Sequence, residues 1–232
     1  RNVRSGQLAI DDDSETAPAG GGILEGAVKV FTEPFFARIA IFVLLANVVG
    51  TFFYMEQSRL VGDVIADSTE RVRFFASRDL AVSVLTLSIE IVGTAYILNR
   101  LGVGFALIAL PLMATVGVFA LSSHTVLWVV AAVMVGERVI AFSVSGPAIK
   151  LMYTLATPGE KYKVQSFVDT VVYRGGDAAS GWIFALLGAG AGFGGGALPA
   201  LALGLTGLWM WNAKALSKSY NERVQSAPAP SS

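Results

Sequence analysis

Polar and apolar positions divide the chain into a short polar start and a long apolar remainder. Residues 1–30 are mostly small or polar, with an acidic cluster, Asp11-Asp12-Asp13-Ser14-Glu15, then Pro18 and Gly20-Gly21-Gly22. Such a composition buries too little apolar surface to order itself and reads as a disordered linker. From Phe35 onward, apolar runs of about 20 residues recur, the length a helix needs to cross a ~30 Å hydrocarbon core. Six are expected, at about 36–55, 79–98, 103–121, 125–145, 167–189 and 195–213. The runs are too long for strands and lack period-two alternation, so a barrel reading fails. Aromatic residues mark several ends (Phe52, Phe53, Tyr54, Trp128, Trp209, Trp211), as an interfacial belt would. Trp182 falls deeper and is expected to pack against protein.

The fold class expected is all-α integral membrane. A linker over 1–30 leads into a six-helix transmembrane domain over 31–215 and a tail over 216–232. Composition agrees: of 232 residues, 54% are apolar and only 15% charged, against about 25% charged in soluble domains. The 17 basic and 17 acidic residues cancel, so no basic excess points to nucleic acid as a partner. There is no Cys and a single His, His124. That removes disulfides, thiolate metal sites, Cys nucleophiles and most His-based triads. No metal, cofactor or enzyme constellation is read. The acidic cluster lacks the Gly and bidentate Glu of an EF-hand loop.

Basic residues set the orientation. With the N-terminus inside, ten fall on inside segments: Arg1, Arg4, Lys29, Arg100, Lys150, Lys161, Lys163, Lys214, Lys218 and Arg223. Only Arg59, Arg71, Arg73 and Arg78 fall outside, so both termini are expected to be cytoplasmic. The segment between the first two spans is expected to be partly helical. The start at Arg1, with no signal-peptide pattern after it, suggests a chain with something upstream. Small residues four apart, Gly181-Ala185-Ala189 and Gly196-Ala200-Gly204, suggest close packing of the last two helices. Gly190, Gly192 and Gly195 fit G-x-G-x-x-G, but no strand precedes them, so a tight turn is expected.

Ionisable groups inside a bilayer each cost at least ~2.5–3.5 kcal/mol on insertion scales and therefore mark candidate sites. Glu90, Glu137, Arg138, Asp169, Arg174 and Asp177 fall within or at the margin of membrane depth, as does Arg38, which can snorkel. Glu90 has no basic neighbour one turn away and needs another helix, a proton or water. Glu137 and Arg138 are adjacent, hence about 100° apart on a helix, and each needs its own partner. The densest stretch is 157–177. Thr157-Pro158-Gly159-Glu160 fits a helix start with a capping box. Continued, that helix carries Lys161, Gln165, Asp169, Tyr173 and Asp177 on one slowly drifting face. Such a row can line a path or dock on neighbouring charges. Gly175-Gly176 could break it, as at the broken helices of transporters. His124 reads as a solvated or capping residue, and Asn47 as a packing or hydrogen-bonding one.

Three blocks carry a family resemblance. Thr51-Phe52-Phe53-Tyr54-Met55-Glu56-Gln57 resembles the "T-F-x-Y-x-E-Q" span end of bacterial ATP/ADP translocase-like transporters. Phe74-Phe75-Ala76-Ser77-Arg78-Asp79-Leu80-Ala81-Val82 with Leu85-Thr86-Leu87 is similar to the "FFA-x-x-DLAV…LTL" segment that follows. The run from Lys161 to Asp177, KYKVQSFVDTVVYRGGD, resembles that family's "KYKAKNFIDTVVYRGGD". The chain departs at Pro147-Ala148-Ile149-Lys150, where the family reads "PARE", at Gln165 for a Lys, and at Glu90, where Gln is commoner.

The resemblance implies the C-terminal six-helix half of a major-facilitator-superfamily carrier in a bacterial inner membrane. Residues 1–30 would then be the loop from a missing N-terminal half. It implies exchange of a nucleotide or another phosphate-bearing anion by alternating access. Lys161, Lys163 and Arg174 would attract or hold phosphate, with the lysines at the cytoplasmic mouth or in the central site. Asp169 and Asp177 would orient those cations, and Glu90, Glu137 and Arg138 would pair or couple. A non-transporting scaffold or sensor is the other reading, and it requires charges that saturate one another.

Overall fold

The computed structural model describes residues 23–187, 192–195 and 197–226. Among them all regular structure is helical. Helix α1 (Ile23–Thr32) precedes α2 (Pro34–Val64), α3 (Ser68–Val92), α4 (Thr94–Arg100), α5 (Gly102–Ser123) and α6 (Leu127–Ile140). A π-helical turn, Ala141–Ser145, joins α6 to α7 (Gly146–Tyr153), and another, Val168–Val172, joins α8 (Pro158–Phe167) to α9 (Tyr173–Leu187). A 3₁₀ turn, Gly192–Gly194, precedes α10 (Leu198–Ser226).

Local chemistry fixes the boundaries. Glu33 precedes a proline and is held extended (φ −106°, ψ 113°), which separates α1 from α2. Pro34 then opens α2, where a missing N–H costs nothing. The Asp67 carboxylate accepts from the Glu70 N–H at 2.9 Å and caps α3. Gly102 takes φ +79°, a left-handed value that favours glycine, and reverses the chain between α4 and α5. The first four connections between rods, of one to four residues, reverse the chain direction each time.

The result is six long rods: 34–64, 68–100 (interrupted at Gly93), 102–123, 127–153, 158–187 and 198–226. Each corresponds in order to one apolar run of the sequence. Three, at Pro34–Val64, Gly102–Ser123 and Leu127–Tyr153, contain a stretch long and apolar enough to cross a membrane. The protein is an all-α membrane protein.

Helix α2 is the hub and packs against α1, α6, α9 and α10. Its Phe42 meets the fully buried Trp209 of α10 edge to face at 5.4 Å, and its Phe53 meets Phe193 at 5.7 Å. Between helices in lipid such contacts act through close packing rather than release of water.

Several expectations change. Residues 23–30 belong to α1 rather than to a linker, and α10 continues through the expected tail to Ser226. The last two helices do not seal against each other: α9 leans on α2, and α10 lies on α5 and α2. Ala189, Gly190 and Gly196 lie outside the described residues, as do the acidic cluster, Arg1 and Arg4; Gly204 faces open space. The helix does not break at Gly175-Gly176; its irregularity is the π-turn just before. Gly176 instead gives α9 its close approach to α2, since a Cβ there would lie 3.0 Å from the Asn47 amide and Leu44. Trp182 is 75% exposed and faces outward.

Candidate functional site

Four rods line a half-open cavity of about 640 Å³, on which Lys150, Asp169 and Asp177 are exposed. Such a volume is within the range of small-molecule sites. Helix α2 contributes Asn47, Gly50, Thr51 and Tyr54, which share one face at helical spacing. Asn47 donates to the Tyr173 carbonyl, and the Thr51 hydroxyl donates to Asp177 Oδ1 at 3.0 Å, so this stripe holds α9 in place.

Both π-turns face the cavity, through Ala141, Phe142 and Ser145 on one rod and Asp169 on the other. A π-turn inserts an extra residue into the helix and shifts the faces beyond it, and such turns concentrate at functional sites. The first is braced from outside. Thr94 donates to the Ser143 carbonyl at 2.8 Å, and Ser145 donates to the Ala106 carbonyl on α5 at 2.7 Å.

The ionisable groups on the wall are Glu137, Arg138, Lys150, Asp169 and Asp177. Among the described residues these three carboxylates and two cations form no ion pair. Two of the wall groups, Tyr153 and Glu137, are buried with unused bonding capacity. Tyr153 is 3% exposed and its hydroxyl has no hydrogen-bond partner; Glu137 is 8% exposed and makes no hydrogen bond among the described residues. The wall can therefore bind a polar solute carrying charge.

Of the residues singled out from sequence, Glu137, Arg138, Asp169 and Asp177 meet at the cavity. The others stand elsewhere. Glu90 and Arg174 are exposed on α3 and α9, off the wall. Lys161 lies beside its neighbour Tyr162, 6.0 Å from the ring centroid. Lys163 pairs with Glu25 of α1. The row predicted over 161–177 holds from Gln165 onward: Gln165, Asp169, Tyr173 and Asp177 line the wall.

The end of the bundle near α1 is built differently. Lys29 bridges Glu33 at 3.2 Å and Glu160 at 2.5 Å. Glu160 also accepts from the Thr157 hydroxyl at 2.8 Å and the Thr157 N–H at 3.4 Å, the capping box expected there. Hydrogen bonds from Lys29 and Thr157 hold the Glu160 carboxyl below its ordinary range, and Glu160 with Glu33 raises the Lys29 ammonium. Arg223 of α10 reaches Glu33 at 3.2 Å and stacks over Phe35 at 4.3 Å. Arg38, instead of reaching free to the interface, donates to Ser219 of α10.

At the opposite end, buried Glu56 pairs with Arg59 at 2.6 Å, beside Gly192, whose φ of +52° and close seat on that carboxylate exclude a side chain. Arg78 donates to Gln57 and pairs with Asp79 at 2.7 Å. Of these contacts, the one from Arg78 to Gln57 links α3 to α2.

Compared with protein-family models, curated proteins and solved structures, the chain finds no match.

Three wall residues escaped the sequence reading as site residues: Lys150, Tyr153 and Tyr54. Lys150 stands 12 positions after Arg138 in the same rod, and a straight helix would place it some 120° away. The intervening π-turn brings both to one wall, and nothing in the local composition announces it.

Proposed function

We propose that the chain is one six-helix half of a secondary transporter of the major-facilitator type. It moves a phosphate-bearing anion, such as a nucleotide of the ATP/ADP class, by alternating access with exchange as its mode. The observation that carries this reading is the charge-lined cavity inside an apolar bundle, with wall charges left free of one another. The substrate class comes from the family resemblance. Arg138 and Lys150 hold phosphate, Asp169 and Asp177 orient those cations, and the Tyr153 hydroxyl donates to the solute. Lys161 serves at the mouth, beside Lys163, which is tied to Glu25.

Glu90 and Arg174 are exposed at membrane depth, where contact with lipid is costly. Their surfaces are therefore assigned to the second, N-terminal half. Both termini of the chain face the cytoplasm of a bacterial inner membrane in this reading. Counterflow of labelled ATP or ADP into liposomes containing the full-length protein is the test. Saturable exchange is expected, and absence of uptake with ATP, ADP and other phosphate esters would sink the substrate class. The saturated pairs at α1 and α8 favour the scaffold reading at that end alone. A scaffold would bind none of these solutes.

A further inference from the structure

We propose that Glu137 is a proton-binding site, so that the carrier moves one proton with each anion. The inference rests on the transport reading and adds the coupled ion to it. Glu137 is 92% buried in the middle of the bundle, given its 8% exposure. Its carboxylate abuts α2 at Gly50, where a Cβ would lie 3.5 Å from Oε1, so no side chain of that residue can donate to it. Arg138 follows directly and projects about 100° away around α6.

The charged and titratable groups sharing the cavity are Tyr54 from α2, Arg138, Lys150 and Tyr153 from α6 and α7, and Asp169, Tyr173 and Asp177 from the α8–α9 rod. Helix α5 adds only Leu110 to the wall, and Arg78, Asp79 and Glu90 of α3 lie outside it. Two cations against three carboxylates leave the wall one negative charge in excess, which repels an anion. A proton on Glu137 brings the five groups to zero. The most buried carboxylate on the wall, with no cation bonded to it, is where that charge is least stable. Proton and anion then favour each other's binding reciprocally. The proton enters from the side the cavity faces, leaves on the other, and no other bond changes.

Infrared difference spectroscopy of the full-length protein in liposomes reads the site with no solute present. A carbonyl band from a protonated carboxyl is expected at neutral pH and is lost on alkalinisation. It should be absent in E137Q, shifted in E137D and unchanged in E90Q. E137D guards against an E137Q protein that fails to fold. A band that persists in folded E137Q, or no band in the wild type, overturns the proposal. In a second arm, ADP–ADP exchange at equal pH on both sides should fall about tenfold per pH unit above the pH at which the band is lost, and E137Q should lack that fall. ADP exchange in the wild type that ignores pH overturns the coupling and spares transport. The band without movement of any phosphate ester removes the transport reading while the proton site stands.

Discussion

The end of the bundle around α1 and the cavity at its centre use the same residue types in opposite ways. At the end, Lys29, Glu33, Glu160, Lys163, Glu25 and Arg223 are joined into pairs that tie α1, α2, α8 and α10 together. On the cavity wall, Glu137, Arg138, Lys150, Asp169 and Asp177 have no such pairs among the described residues. Partly exposed pairs cost little to form and return little, typically below ~1 kcal/mol. On the transport reading the wall charges lie at membrane depth, where each costs far more, so leaving them unpaired needs a return of another kind, and a bound solute is the one proposed. On the proposed reading, position in the bundle rather than residue type separates fastening from function.

The sharpest way to break this comparison is to neutralise each set in turn. In the proposed site, Arg138→Gln and Lys150→Gln each remove a charge-assisted contact to the phosphate, worth about 1.5–3 kcal/mol. Nucleotide counterflow should therefore fall roughly 10- to 100-fold, with little change in the thermal melting of the purified protein. Loss of folding in both variants, seen by circular dichroism, would place these cations with the fasteners.

The sequence displays the two regions unequally, for physical reasons. Six apolar runs announce six rods, three of them long and apolar enough to cross a bilayer, which demands about 20 apolar residues of a helix. The capping box at Thr157–Glu160 is visible because it is local. Which charges share a wall is not local. Glu137, Asp169 and Asp177 are flagged by their depth, but the π-turn between Arg138 and Lys150 decides that Lys150 joins them. The pairing of Lys163 with Glu25 spans 138 positions and joins a segment whose composition resembles a linker. Helix α1 is hidden from composition because it borrows its stability from α8.

A smaller effect is expected where α1 docks. Gly26 seats directly on the Lys163 backbone carbonyl, so Gly26→Val has no room and should lift α1 from α8. Hydrogen exchange at the amides of 23–32 should accelerate, while the cavity helices keep their protection. If α1 stays protected in the variant, its seat does not depend on this contact.

The smallest effect separates the ion pairs of that end from its packing. The Glu160 carboxyl is held below its ordinary value of 4.5, chiefly by the Lys29 hydrogen bond. It therefore contributes stability above pH 4.5, and that contribution fades as the pH falls through the lowered value. Lys29 is raised above 10.5, chiefly by Glu160, so its contribution is complete below pH 10.5 and fades as the pH rises through the raised value. The clamp is whole between these limits. Spin labels at the exposed Val28 and Tyr162 can follow it through the distance between α1 and α8. A narrow distribution is expected at neutral pH, broadening at strongly acidic and strongly alkaline pH. Glu160→Gln should broaden it modestly at neutral pH and leave less further change on acidification. The seat of Gly26, buried Val30 and the edge-to-face contact of Phe31 with Phe167 persist throughout, which limits the broadening. A distribution indifferent to acid would mean that packing alone holds α1, and that the charges at this end contribute as little to fastening as the free charges of the wall.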